Sequence, residues 1–312
     1  GYTTYTFNFH DTLSQGLSYE SDSVNVYIGN QKYTKDSEYK PGVKVFTVDV
    51  KDQSLSINLA DLVDLKSTLN NQGNNVSKDT AIVVTYTAKL NNNAVIGQEG
   101  NTNKAYIEYS NNPYEDSKGT TLEDKVSVYT YQLDVDKTNE GGTKKLAGAE
   151  FELYRTNNGG TLTDIVNFSK VVEEGKNEYI VDPDGAPVIT SDDKVNIILK
   201  GLDAGTYYLE ETKAPEGYNK LKKPVKVTIT PTYKDDALIS LSGSIEGEWD
   251  SETATVTGDF TSGKISFRVE NSSGVKLPET GGFGTTIFYL AGFVIMAGAV
   301  TAFFYTRRKD NK

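Results

Sequence analysis

The chain has 312 residues, enough for about two domains, and a formal net charge of −11 at pH 7. This charge argues against a nucleic-acid partner, because phosphate backbones are themselves anionic. Cysteine is absent and His10 is the only histidine, which excludes disulfides, thiol catalysis and zinc–thiolate sites and leaves no general-base constellation. We therefore predict a protein that is not an enzyme and has no cofactor and no metal site. Neither an initiator methionine nor a signal peptide opens the chain at Gly1, so we expect a fragment or a processed form.

Short runs rich in Val, Ile, Thr, Tyr and Phe fill residues 1 to about 275, and turn signals such as Gly141-Gly142 interrupt them. This pattern is typical of all-β sandwiches. We predict an all-β fold with two tandem immunoglobulin-like β-sandwich domains, followed by a C-terminal hydrophobic helix. One further short helix is predicted over residues 59–69, where five apolar side chains share a helical face. These are Leu59, Leu62, Val63, Leu65 and Leu69.

The first predicted strand, residues 5–13, alternates apolar and polar residues, and its inward-facing set includes Asp11. A later strand, residues 103–109, places Asn103 on its apolar face in the same way. Asn101 has the same phase and is the alternative to Asn103. For Asp11 the alternative is a turn residue at a strand end. The pattern thus directs a carboxylate and a carboxamide toward the interior of the first domain.

The polar stretch 111–125, which contains Pro and Gly, marks a domain boundary. We predict a first domain over residues 1–125 that is incomplete at its N terminus. The second domain is predicted over residues 126–275 and is entered by a strand over residues 126–131. Residues 276–312 form a separate C-terminal segment.

Three polar residues of the second domain fall on apolar strand faces. Lys137 continues the apolar phase of the first strand, Glu211 that of a middle strand and Asn271 that of the last strand. The alternative is that each alternation has already ended, so that these are polar strand ends in water. Their joint occurrence in one domain favours a shared buried position.

A lysine, a glutamate and an asparagine buried together can react with one another. Burial disfavours charge, so Glu211 can hold a proton and Lys137 can present a neutral amine. The amine attacks the amide carbon of Asn271, the acid protonates the carbonyl oxygen and ammonia leaves. The predicted product is a Lys137–Asn271 isopeptide bond that Glu211 promotes. Lys144 and Lys145 compete for the lysine role, but they lie in a turn, and strand phase favours Lys137.

Two segments of the second domain carry a specific resemblance, LAGAEFEL at 146–153 and YLEETKAPEGY at 208–218. They resemble the collagen-adhesin B-type (SpaA-like) domain of Gram-positive pilins, and the second segment matches the E-box of that family. The resemblance implies an isopeptide bond between the first-strand lysine and the last-strand asparagine, with the E-box glutamate as catalyst. Carried over by motif, these residues are Lys137, Asn271 and Glu211.

In the first domain, the segments YTFNFHDTLSQGLSY, VVTYTAKLN and NTNKAYIEYSNNP resemble the second domain of fimbrial backbone pilins. In that family an aspartate catalyses a Lys–Asn bond, and the lysine comes from a strand well upstream. The resemblance implies that Asp11 is the catalytic residue and Asn103 the cross-linked amide. Lys89 points away from the apolar face of its strand. We therefore expect that the partner lysine preceded Gly1 and that Asp11 and Asn103 are unpaired here.

Near the C terminus, residues 283–306 carry no charge over 24 positions, which is long enough for a helix to span a bilayer. Arg307, Arg308 and Lys309 follow, and positive charge stays on the cytoplasmic side. The bulk of the protein then lies outside the cell. The alternatives are a plain single-span anchor and a buried core helix.

The pentapeptide ahead of this span consists of Leu277, Pro278, Glu279, Thr280 and Gly281. Together with the span and the basic tail, it resembles the cell-wall sorting signal of Gram-positive surface proteins. That resemblance implies a sortase that cleaves between Thr280 and Gly281. The sortase would join Thr280 to an amine, either a lysine of the next subunit or the wall peptidoglycan, so the membrane span is transient.

These features together predict a structural subunit of a covalently polymerised, cell-wall-anchored pilus outside a Gram-positive cell. The implied partners are a sortase, neighbouring pilin subunits and peptidoglycan. The alternative is a wall-anchored adhesin or accessory pilin that binds a host extracellular ligand. The sequence contains no YPK-type motif, so the acceptor lysine for polymerisation lies upstream or is absent.

Overall fold

The computed structural model describes residues 2–20, 22–36, 45–59, 62–71, 77, 79–248 and 254–274. The regular secondary structure of these residues is almost entirely β-strand, so the prediction of an all-β fold is confirmed. The predicted C-terminal helix and the pentapeptide Leu277–Gly281 lie outside the described residues. Within the described part of the chain, no helix is both long and apolar enough to cross a membrane.

The first domain is built on one large sheet. Its strands are β1 (Phe7–Leu13), β2 (Leu17–Tyr19), β3 (Asn25–Ile28), β4 (Gln31–Lys35), β5 (Val45–Lys51), β6 (Ser54–Asn58), β7 (Ile82–Thr85), β8 (Ala88–Leu90), β9 (Asn101–Ser110), β10 (Lys118–Thr120) and β11 (Asp124–Val128). The strand order in the large sheet is β10-β9-β1-β6-β5-β4-β3-β7, and β11 also pairs with β9. Strands β2 and β8 form a separate pair. The inward side chains pack into a core that contains Val26, Tyr33, Phe46, Leu55, Ile57 and Leu59.

The helix of this domain, α1 (Leu62–Asn71), begins later than the apolar pattern predicted. Leu59 is buried, but its N–H donates to the carbonyl of Phe7 at 3.2 Å and so extends the pairing of β6 with β1. The N–H of Leu62 then donates to the carbonyl of Tyr5 at 2.9 Å as the helix begins. Hydrogen bonding to the neighbouring strand therefore holds the chain extended at Leu59, although its side chain fits the helical face.

The second domain is a two-sheet sandwich. Its strands are β12 (Tyr131–Asn139), β13 (Glu150–Asn158), β14 (Thr161–Val166), β15 (Phe168–Lys170), β16 (Glu178–Val181), β17 (Ile189–Thr190), β18 (Ile197–Leu202), β19 (Gly205–Lys213), β20 (Val225–Lys234), β21 (Ala237–Glu246), β22 (Ala254–Thr257) and β23 (Lys264–Asn271). One sheet has the order β15-β16-β18-β12-β23 and the other β14-β13-β19-β20-β21-β22, with β17 paired to β13. Alternating apolar residues from both sheets form the core between them.

The first and last strands of the second domain are direct neighbours. Strands β12 and β23 pair in parallel, with Lys137 opposite Val269 and Asn139 opposite Asn271. Side chains two residues apart on a strand share a face. The pairing therefore brings the inward positions Lys137 and Asn271 onto adjacent strands at the same end of the sheet.

The strand expected to enter the second domain over residues 126–131 is divided in the structure. Its first part belongs to β11, which pairs with β9 of the first domain and places Val126 opposite Asn103. The first strand of the two-sheet sandwich, β12, begins only at Tyr131. The prediction was wrong because residues 101–105 of β9 offer a free edge that β10 leaves unpaired, and β11 completes that edge.

The two domains meet at a compact contact that we call the interdomain joint, formed by residues 95–98, 129–132 and 261–263. The N–H of Gly97 donates to the carbonyl of Thr130 at 3.0 Å, and that of Gln98 donates to the carbonyl of Thr261 at 3.2 Å. A Cβ atom on Gly97 would lie 2.4 Å from the backbone nitrogen of Gly263. Glycine is needed here because the two backbones touch and both residues have positive φ.

Candidate functional site

Lys137, Glu211 and Asn271 all lie in the interior of the second domain. They are 2%, 1% and 0% exposed, so the alternative of polar strand ends in water is wrong. Lys137 and Asn271 come from β12 and β23 of one sheet, and Glu211 comes from β19 of the opposite sheet. The apolar alternation of each strand carries its polar residue inward, and the parallel pairing of β12 with β23 brings Lys137 and Asn271 onto neighbouring strands.

Hydrogen bonds join the carboxylate and the amide directly. The Nδ2 of Asn271 donates to Oε2 of Glu211 at 2.8 Å and to the backbone carbonyl of Asn219 at 2.6 Å. The N–H of Leu221 also donates to Oε2 of Glu211 at 2.8 Å. Oε1 of Glu211 and Oδ1 of Asn271 are buried and have no hydrogen-bond partner among the described residues. Both of these unsatisfied atoms are hydrogen-bond acceptors.

The amine of Lys137 is held by backbone carbonyls. Its Nζ donates to the carbonyl of Val269 at 3.2 Å and to that of Thr138 at 3.4 Å. Burial lowers the pKa of Lys137 from 10.5 to about 8, against the opposing influence of the Glu211 and Glu270 carboxylates. At pH 7 the fraction of neutral, nucleophilic amine is therefore roughly 300-fold larger than for an ordinary lysine.

The alternative lysines face away from this interior. The ammonium of Lys145 contacts the carboxylate of Asp136 and the side-chain oxygen of Asn196 on the outer side of β12. Lys144 is exposed. Lys137 is thus the lysine that shares the buried space with Glu211, as the strand phase predicted.

In the first domain, Asp11 is 2% exposed and lies inside β1, so it is not a strand-end turn residue. Its Oδ1 accepts a hydrogen bond from the hydroxyl of Tyr19, and its Oδ2 accepts one from the hydroxyl of Tyr86 at 2.8 Å. The Nδ2 of Asn103 donates to the same Tyr86 hydroxyl. Burial and the bond to Asp11 raise the pKa values of both tyrosines.

Asp11 and Asn103 are therefore joined by hydrogen bonds through Tyr86, and the expectation that no lysine partners them here stays a prediction. The Tyr86 hydroxyl bridges the carboxylate and the carboxamide, and the phase argument missed this residue because it considered only lysines as partners. The alternative residue Asn101 has a different environment. Its side chain accepts from the N–H of Val95 at 2.9 Å and donates to the carbonyl of Val95 at 2.8 Å, so it holds the loop of the interdomain joint.

Comparison with known protein families gives three matches along the chain. Residues 2–113 match the model of the Gram-positive pilin backbone subunit 2, Cna-B-like domain, and residues 131–242 match that of the SpaA prealbumin-like fold domain. Residues 269–312 match the LPXTG cell wall anchor motif. The chain therefore carries two regions similar to pilin backbone domains and a match to a cell-wall anchor motif, and the anchor motif indicates an extracellular protein attached to the cell wall.

Individual relatives agree with these matches. The trypsin-resistant surface T6 protein of Streptococcus pyogenes serotype M6 is 26% identical over 96% of this chain, and the chain spans 60% of the length of that relative. The solved T6 backbone pilin of the same serotype is 20% identical, with a TM-score of 0.55 over 88% of this chain and 63% of that structure. The pilus 2b backbone protein of group B streptococcus is 23% identical, with a TM-score of 0.53 over 88% of both chains. These structures share the fold.

Proposed function

We propose that this chain, which combines pilin backbone domains with an LPXTG anchor motif, is a structural subunit of a covalently polymerised, cell-wall-anchored pilus. The order of the three family matches along the chain, 2–113, 131–242 and 269–312, carries this proposal. It corresponds to two stacked β-domains that lead directly into the anchor. We place the domain boundary at Tyr129 and Thr130, between the last strand of the first sheet and the first strand of the sandwich.

In this function the anchor segment is the substrate of a sortase. The enzyme would attack the carbonyl of Thr280, release the chain from Gly281 onward and transfer the Thr280 carbonyl to an amine. That amine is a lysine of the next subunit during growth of the fibre or an amine of peptidoglycan at its end. The partners are accordingly a sortase, neighbouring copies of the subunit and the cell wall.

Sorting can be tested with the full-length protein expressed from its own gene in a Gram-positive host that supplies the sortase. The parent is expected to appear in the cell-wall fraction as a ladder of covalent multimers that resist denaturing electrophoresis. Thr280→Ala should abolish the ladder, whereas Glu279→Gln, at the variable position of the LPXTG motif, should retain it. A single wall-bound species without a ladder would instead support a monomeric anchored adhesin.

The second domain also matures by an internal reaction, in which Lys137 and Asn271 form an isopeptide bond. The neutral Nζ of Lys137 attacks Cγ of Asn271, the new N–C bond forms and the Cγ–Nδ2 bond breaks. A proton passes from Nζ through Glu211 to Nδ2, which leaves as ammonia. Each chain reacts once, so this step is maturation of a structural protein and not enzymatic turnover.

The intact mass of the chain tests this reaction. We expect the parent to weigh one ammonia less than the sum of its residues, because the second domain reacts and the Tyr86-bridged site of the first domain does not. Glu211→Ala and Lys137→Ala should restore the full mass, whereas Lys145→Ala, which removes the outer lysine, should leave the deficit in place. A parent without any deficit contradicts the proposed bond, and a deficit of two ammonias contradicts the assignment of the first domain.

A further inference from the structure

A backbone carbonyl holds the amide of Asn271 in addition to Glu211. Its Nδ2 carries two hydrogens, and one acceptor is present for each, Oε2 of Glu211 and the backbone carbonyl of Asn219. A carbonyl oxygen can only accept, so the group that lies 2.6 Å from it must be the amide nitrogen. The Asn219 carbonyl thereby fixes which end of the amide faces Glu211.

Two hydrogen bonds donated by one planar amide nitrogen also fix the orientation of the amide plane. The nucleophile must approach the amide carbon from above or below that plane. With both hydrogens of Nδ2 held, Oδ1 points away from Glu211 Oε2 and Asn219, consistent with its lack of a hydrogen-bond partner among the described residues. The amide is therefore oriented before the lysine reacts, which is the condition for an efficient intramolecular attack.

The segment that supplies this carbonyl is itself hydrogen-bonded to the residues that directly follow Asn271. The N–H of Asn219 donates to the carbonyl of Ser272 at 3.1 Å, and Tyr218 forms a β-bridge with Ser273. On the other side, the N–H of Leu221 donates to Glu211 at 2.8 Å. Residues 217–221 thus contact both the acid and the amide and hold them in one geometry.

We propose that the backbone carbonyl of Asn219 is a positioning group for isopeptide formation, holding the departing nitrogen beside Glu211 and presenting the amide face to attack. This inference rests on the Lys137–Asn271 bond proposed above. During the reaction the carbonyl accepts from Nδ2 until the Cγ–Nδ2 bond breaks and ammonia leaves. In the product, Nζ of Lys137 replaces Nδ2 and bears a single hydrogen. One of the two acceptors, Oε2 of Glu211 or the carbonyl of Asn219, must therefore change its partner.

The test follows cross-linking in the full chain over time. The protein is made by cell-free translation, samples are quenched in denaturant, and the fraction that has lost one ammonia is measured by intact mass. Asn219→Pro removes the N–H that fastens the segment to Ser272 and should slow cross-linking about tenfold or more, because small displacements of reacting groups have large kinetic effects. Lys220→Ala, which changes an adjacent exposed side chain and keeps the backbone, should react at the parent rate.

A purely structural role is separated from positioning by two further readouts. Hydrogen exchange of β12 and β23 must show that Asn219→Pro is folded, and the midpoint of its rate–pH profile should equal that of the parent, because Lys137 is unchanged. A folded Asn219→Pro variant that reacts at the parent rate overturns the inference. If that variant does not fold, an ester in place of the peptide bond between Asn219 and Lys220 weakens the same carbonyl as an acceptor and should slow the reaction roughly two- to fivefold.

An unchanged rate in the ester variant also overturns the inference. A parent chain that never loses ammonia contradicts the isopeptide bond itself. If the parent loses ammonia and the Asn219→Pro and ester variants react at the same rate, only the role of Asn219 is contradicted.

Discussion

A Lys137→Met variant should unfold with a free energy about 5 kcal/mol lower than that of the parent. The isopeptide bond closes a loop of about 134 residues between Lys137 and Asn271, and by analogy with disulfides it removes loop-closure entropy from the unfolded chain. Methionine fills the space of the buried lysine stem and introduces no charge, so the main loss is the cross-link. The difference in unfolding free energy is measured by chemical unfolding of the full chain, with hydrogen exchange in β12 and β23 as the readout.

Lys145→Met provides the matched control for this experiment. It removes a lysine of the same size that pairs with Asp136 on the partly exposed outer face, and it leaves the interior intact. Such pairs contribute little, so the control should lose less than about 1 kcal/mol. Equal losses in the two variants would mean that Lys137 closes no loop in the parent.

The second large effect concerns the pH dependence of the cross-linking rate. The neutral form of Lys137 is the nucleophile, so the rate should rise with pH along a limb whose midpoint lies near the lowered pKa of about 8. An ordinary lysine would give a midpoint near 10.5. The measurement is the initial rate of ammonia loss at a series of pH values after cell-free synthesis of the parent chain.

The Glu270→Gln variant tests the direction in which the pKa of Lys137 shifts. The carboxylate of Glu270 favours the charged form of Lys137 and so raises its pKa. Its removal should lower the pKa of Lys137 further, shift the rising limb to lower pH and accelerate the reaction at pH 7. A shift of the limb toward higher pH, or a parent midpoint near 10.5, would contradict the assignment of a desolvated Lys137 as the nucleophile.

The sequence predicted those parts of the site that depend on strand phase. The two-residue period placed Lys137, Glu211 and Asn271 inside, and the interior position of all three is confirmed. The same argument placed Asp11 inside, but it did not identify the Tyr86 hydroxyl as the group that joins Asp11 to Asn103. Their chemical roles remain proposals.

Phase arguments failed where backbone groups decide the structure. Every residue has a backbone carbonyl, and every residue except proline has a backbone N–H. No side-chain pattern therefore marks the carbonyl of Asn219 or the N–H of Leu221. The late start of α1 and the pairing of β11 with β9 have the same origin, since a free strand edge attracts any extended segment of suitable length. Such pairings depend on which strands are neighbours, and composition does not reveal that.

The parallel pairing of β12 with β23 determines how the second domain responds to tension applied along the chain. When the two chain ends are pulled apart, the force acts on the beginning of β12 and on the end of β23. Because these strands are parallel, the force loads their pairing in shear. Every backbone hydrogen bond between the strands resists this sliding at once, and none can open ahead of the rest. With Lys137 bonded to Asn271, the tension passes from Tyr131 to Lys137, across the isopeptide bond and onward from Asn271. The hundred or more residues between Lys137 and Asn271 would then bear no load and could not extend.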